Sequence, residues 1–203
     1  VRPRYALTAT TDGGGSILIS PASALYLSNT VVELTAVPAT NWQFLYWTQD
    51  ASGTNPVLDL TMTTTLSVGA VFGTSISVTN SGSGIAALNP PQALYAYGST
   101  VWLQAAAQGT GFFRYWDGTL GSNNITPLRY IVTNGATSFT AYFGTLPPQR
   151  YSLSVLSSGP GDVTWTPRQP FYTNNAPVQI TATPEPGYLF VGWSGHASGT
   201  NNP

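Results

Sequence analysis

The chain has no cysteine and no lysine, a single histidine and a single methionine. Without cysteine there is no disulfide, no thiolate metal site and no thiol nucleophile. Charged residues make up only 6% of the chain, six arginines against seven acids, for a net charge of −1. That balance offers no basic patch to neutralise phosphates, which excludes charge-driven nucleic-acid binding. No hydrophobic run reaches the length of a transmembrane helix, and VRPRYALTAT has no hydrophobic signal core. So no membrane insertion is expected in this segment. Low charge alone would suit disorder, but disorder also requires low hydrophobicity. With 42% hydrophobic and 12% aromatic residues, the chain is expected to fold and to draw its solubility from Thr, Ser, Asn, Gln and Gly.

Internal repetition organises the chain. Aligned without gaps, Pro21, Tyr26, Val32, Leu34, Ala36, Phe44 and Trp47 recur as Pro90, Tyr95, Val101, Leu103, Ala105, Phe113 and Trp116. They recur again as Pro167, Tyr172, Val178, Ile180, Ala182, Phe190 and Trp193. LSVGAVFGT (66–74) likewise matches TSFTAYFGT (137–145). Three units follow: 1–74, 75–145 and 151–203, with LPPQR (146–150) as a stiff proline-containing linker before the third. The join FGT–SIS leaves almost no linker between the first two, so these are expected to touch.

Each unit reads as β-structure. Alternation in YALTATT, SILIS, VVELTAV and LSVGAVF puts apolar residues on one face of each segment. Gly, Pro and Asn bound these runs, and no segment sustains a helical period. The fold class is therefore mainly β: three small tandem β-sheet units with little or no helix, a turn of helix at 23–29 remaining open. DGGG (12–15) is expected to turn a hairpin rather than hold phosphate, since no Lys-Ser/Thr follows. The predicted core of the first unit is Leu7, Ile19, Tyr26, Val32, Leu34, Phe44, Trp47, Leu60, Val68 and Phe72. A unit of this size has a thin core and gains from contact with its neighbours.

The order VELTAVP-type strand, then GYLFVGWSG, then ASGTNP, then TLSVGAVF resembles the divergent InlB B-repeat family, related to Listeria–Bacteroides repeats. The second unit departs most, with TLGSNNITP in place of the ASGTNP run. The resemblance implies a tandem module of exported bacterial surface or secreted proteins, β-grasp-like in fold, extracellular, with no catalytic residues to carry over. Its expected role is that of a stalk, spacer or fibre-forming assembly element. Its partners would be neighbouring repeats or copies of itself. The third unit stops before counterparts of the last two strands, so the chain is expected to be a piece of a longer one.

The candidate chemistry is sparse. His196 lies in a loop whose counterpart in the first unit is Asp50, and no orienting acid is near in sequence, so it reads as a loop residue. No acid recurs in register and no D-x-D-x-D run exists, so neither a catalytic pair, a metal site nor a cofactor is expected. Asn124-Ile125-Thr126 is a sequon without consequence in a bacterial host. Trp47, Trp116, Trp193 and Trp165 read as core. Trp102 matches Glu33 and Gln179 on the outward phase of its strand, which makes it either a contact with a neighbouring unit or an exposed platform. Tyr97, Tyr46 and Tyr115 could join it. Exposed aromatics among Asn, Gln and Thr suit sugar rings, so the alternative reading is a carbohydrate-binding or adhesive module with surface glycans as partners.

Overall fold

The computed structural model describes residues 2–203. The first repeat holds β1 (Arg4–Tyr5), β2 (Leu7–Asp12), β3 (Gly15–Ser20), β4 (Tyr26–Leu27), β5 (Val31–Pro38), β6 (Gln43–Gln49), β7 (Val57–Thr61) and β8 (Leu66–Thr74). The second holds β9 (Ile76–Ser81), β10 (Gly84–Asn89), β11 (Tyr95–Ala96), β12 (Thr100–Ala107), β13 (Gly111–Gly118), β14 (Leu128–Ile131) and β15 (Thr137–Thr145). The third holds β16 (Gly161–Thr166) and β17 (Gln179–Pro184). No helix occurs among the described residues, so the chain is all-β.

Two small sheets carry the first repeat. In one, β5 lies between β3 and β7, antiparallel to both. In the other, β8 is the central strand, parallel to β2 and antiparallel to β6. The second repeat has the same strand orders, β10-β12-β14 and β13-β15-β9. The glycine run 13–15 does not turn a hairpin: β2 and β3 belong to different sheets, and the run carries the chain from one to the other. The reason is steric. A Cβ on Gly15 would meet the Phe72 ring within 2.6 Å, and one on Gly14 would meet the Trp42 indole within 2.8 Å, so only glycine lets this corner close on those rings.

Segment 23–29 is not a turn of helix. The Tyr26 hydroxyl accepts from Ser23 N (3.1 Å) and donates to Pro21 O (2.8 Å), which pins the segment so that Tyr26-Leu27 can pair with Arg4-Tyr5. The third repeat has the same clasp: Tyr172 accepts from Gln169 N and donates to Pro167 O at 2.7 Å. The recurring Pro and Tyr are therefore two halves of one hydrogen bond.

The aromatic strand β6 breaks alternation. Phe44 and Trp47 are three residues apart, so a regular strand would send them to opposite faces. A bulge between Phe44 and Tyr46 restores them to one face, where their rings pack 5.0 Å apart. An equivalent bulge lies between Phe113 and Tyr115. The first-repeat core gathers all ten predicted residues, Leu7, Ile19, Phe44 and Leu60 half-buried at its margin, with Ala36, Ala70 and Met62 buried among them. In the third repeat, Val155, Val163, Trp165 and Tyr172 form a smaller core. Residues 188–193 form no strand there, and Leu189 and Val191 are almost fully exposed.

The chain divides into two compact units whose limits cross the repeats. One comprises 1–76 with 93–99 and 131–137; the other comprises 77–92, 100–130 and 138–203.

Candidate functional site

The sequence singled out four aromatics, and they do not converge. Tyr46 and Tyr97 belong to the first compact unit, Trp102 and Tyr115 to the second. Trp102 is only 2% exposed, so it presents no face to a ligand. Its strand is covered on both sides: Trp102 Nε1 donates to Asp162 Oδ1 at 2.7 Å, and Gln104 Nε2 donates to Ser157 O at 2.8 Å. Asn89 Nδ2, on the adjacent β10, also reaches Ser157 O and Gly159 O. The outward phase read from the sequence is real, and the third repeat covers it. Asp162 was invisible as the partner because nothing local links it to Trp102. Tyr115 stacks on Tyr142 with centroids 4.9 Å apart, beside Arg114. Tyr46 sits at the β6 bulge, 42% exposed.

Two of the four line a cleft: Tyr115 an open one of about 530 Å³ with Arg114 and the loop 122–125, and Tyr97 another, with a second aromatic ring in its wall. The Tyr97 cleft is open, about 570 Å³, and lies within the first compact unit. Its walls are the 11–14 corner, Trp42, Tyr97 and the loop 133–135. The Trp42 and Tyr97 rings are tilted by 50° with centroids 6.1 Å apart. A Cβ on Gly13, Gly14 or Gly135 would fall within 2.9 Å of the Trp42 indole, so three glycines clamp that ring. The walls are tied by Thr74, fully buried at the end of β8. Its hydroxyl donates to Asn41 O (2.8 Å) and accepts from Ala136 N (2.6 Å). Asn41 and Ala136 both hold positive φ, which aims their backbone groups at that hydroxyl. β11 continues the β2 edge of β8, with Tyr97 N donating to Phe72 O, and so places Tyr97 over the corner.

Sequence reasoning missed Trp42. The available signal was non-recurrence: Trp42 aligns with Gly111 and Tyr188, whereas Trp47 aligns with tryptophan in both other repeats. Where the first repeat pairs Trp42 with Gly14, the second pairs Gly111 with Ser83, and a Cβ on Gly111 would strike Ser83 O at 2.1 Å.

Titratable chemistry is thin. His196 is an exposed loop residue, and no group of three or more His, Cys, Asp or Glu is placed to hold a metal among the described residues. Burial lowers the pKa of Arg168, opposed by the charge of Tyr172; its guanidinium lies 4.1 Å from the Trp165 ring and donates to Thr126 O. That arginine braces the second compact unit.

A family model described as the divergent InlB B-repeat domain matches residues 5–76 and 151–203, more than half of the chain. The chain belongs to this family. Neither the curated proteins nor the solved structures give a match. InlB B-repeat modules are found typically in surface or secreted bacterial proteins, and the family is generally non-catalytic. The family match leaves out the second repeat, the one that lacks the ASGTNP run.

Proposed function

We propose that the chain is a non-enzymatic repeat module of an exported bacterial surface or secreted protein, acting as a spacer, stalk or assembly element. The observation that carries this reading is that neither compact unit coincides with a repeat. The first repeat is completed by two segments of the second, through β8–β11 pairing and the Thr74 tie. The rest of the second repeat is joined to the third through Trp102–Asp162 and Ser157. Beads on a string would not need such ties, whereas a spacer that resists bending at its joints does. The absence of lysine leaves strand edges weakly guarded against pairing with further copies, which suits assembly.

Scanning calorimetry of the chain tests the spacer reading. Repeats tied in this way should melt in fewer transitions than there are repeats, and Thr74→Val should split a transition. Three independent transitions in the wild type would remove the basis for a stiff spacer. Light scattering and electron microscopy across concentration test the assembly role separately; a monomer without fibres at high concentration counts against it.

A further inference from the structure

We propose that the Trp42–Tyr97 cleft is a binding site for a neutral glycan, with Asp12 as its hydrogen-bonding anchor. The proposal goes beyond the spacer reading and does not depend on it.

Three observations converge. The first is what the repeats keep and what they vary. Residues required by the fold recur, as Trp47, Trp116 and Trp193 do. Trp42 and Asp12 do not: Asp12 aligns with Ser81 and Ser158, and Trp42 with Gly111 and Tyr188. Gly14, whose missing side chain admits the indole, is serine and proline in the other two repeats. The same corner is built from Gly111 and Ser83 in the second repeat and from Tyr188 and Pro160 in the third, so Trp42, at the edge of the first-repeat core, is particular to this repeat.

The second is unspent hydrogen-bonding capacity. Trp47, Trp102, Trp165 and Trp193 donate their indole N–H within the protein, and Trp116, which has no acceptor among the described residues, is fully buried away from any ligand. Trp42, half-buried in the cleft, has no acceptor for its N–H among the described residues. Asp50, Asp117, Asp162 and Glu185 each accept a hydrogen bond, whereas the exposed Asp12, Glu33 and Asp59 accept none among the described residues; of these three, Asp12 lines the cleft. Asn134, on the facing loop, is also exposed with its amide uncommitted. A free indole donor, a carboxylate acceptor and an amide that does both match the donor-and-acceptor hydroxyls of a sugar.

The third is rigidity and charge. The three glycines and the Thr74 tie hold the tryptophan and the opposite loop in place, so little order is lost on binding. Tyr97, 43% exposed, presents a ring beside it. Aromatic rings accept the C–H faces of a pyranose, and an open cleft admits a residue within a longer chain. No arginine lines the cleft and Asp12 does, which disfavours uronates, sialic acids and phosphates.

The experiment is affinity electrophoresis of the 203-residue chain in gels containing hydroxyethylcellulose, galactomannan or arabinoxylan, with polygalacturonate as the anionic control. Tyr97→Ala and Asp12→Asn change exposed side chains and should leave the melting temperature unchanged; Tyr115→Ala, in the other compact unit, is the control variant. The expected result is retardation of the wild type by at least one neutral polysaccharide, weakened at least tenfold in Tyr97→Ala and in Asp12→Asn and unchanged in Tyr115→Ala. The proposal is overturned if no neutral polysaccharide retards the wild type, if only polygalacturonate does, or if the two cleft variants bind as the wild type does. Quenching of tryptophan fluorescence by tetramethylammonium that Tyr97→Ala abolishes, with no neutral polysaccharide retarding the wild type, would reassign the cleft to a cation and also overturn it. None of these outcomes bears on the calorimetric test of the spacer.

Discussion

The loops that follow Trp47 and Trp193 do what the loop after Trp116 does not. In the first repeat, Trp47 N donates to Gly53 O, and its indole N–H reaches Asn55 O, eight residues on, at 2.8 Å. In the third, Trp193 N donates to Gly199 O, and its indole reaches Asn201 O, again eight residues on, at 2.9 Å. The ASGTN run is thus a short loop that curls back to cap a tryptophan. The second repeat carries GTLGSNN instead. There Trp116 N pairs with Asn123 O, so the loop is one residue longer, and Gly118 and Gly121 bend it with positive φ. Trp116 is fully buried, its ring still packs on Phe113, and its N–H finds no acceptor among the described residues. The apolar part of the motif tolerates a change of loop length. The polar part does not, because a hydrogen bond fails over a shift that a ring contact absorbs.

Four measurements would break or sharpen that comparison. The largest effect is expected for Trp47→Ala and Trp116→Ala, each costing about 3–5 kcal/mol in urea unfolding, since both remove a buried ring from a packed core. If Trp116→Ala costs far less, the second repeat has a looser core and not merely a different loop. Next is Asp162→Ala, which strips the acceptor from a third buried indole, that of Trp102. It should cost about 1–3 kcal/mol, as expected for an orphaned buried donor, and it would show what an unmet N–H does to this protein. Third, Trp47→Phe should cost about 1 kcal/mol more than Trp116→Phe, because only the former loses a hydrogen bond. Equal costs would mean that the Trp116 N–H is satisfied. The smallest is Tyr26→Phe, which should cost about 0.5–1.5 kcal/mol through loss of the bond to the proline carbonyl five residues back; Tyr172→Phe should cost more, because it also strips the acceptor from the buried Trp165 indole.

Much of this was legible in the sequence, and the boundary has a physical form. Alternation gives each strand its inward face, so the ten core residues of the first repeat could be named. Recurrence then marked which aromatics the fold requires. What alternation does not encode is the partner of a strand. The 12–15 run looks like a hairpin because glycines permit either a hairpin or a change of sheet, and Phe72, far along the chain, decides between them. The cover over Trp102 was foreseeable as a choice between two states, but its identity, Asp162, comes from another repeat. The cleft was least legible. It needs two positive-φ residues, a buried threonine and loops from separate repeats, none of which has a local pattern.

The parallel pairing of β2 with β8 bears on mechanics. β2 is the first long strand of the repeat and β8 its last, and they run side by side in register from Leu7–Leu66 to Asp12–Val71. Tension that enters at the start of β2 and leaves at the end of β8 pulls the two strands past each other. Their hydrogen bonds are then loaded together in shear, instead of one after another as when a hairpin is unzipped. Pulled from these two ends, the repeat yields when the whole β2–β8 ladder gives way, not one bond at a time.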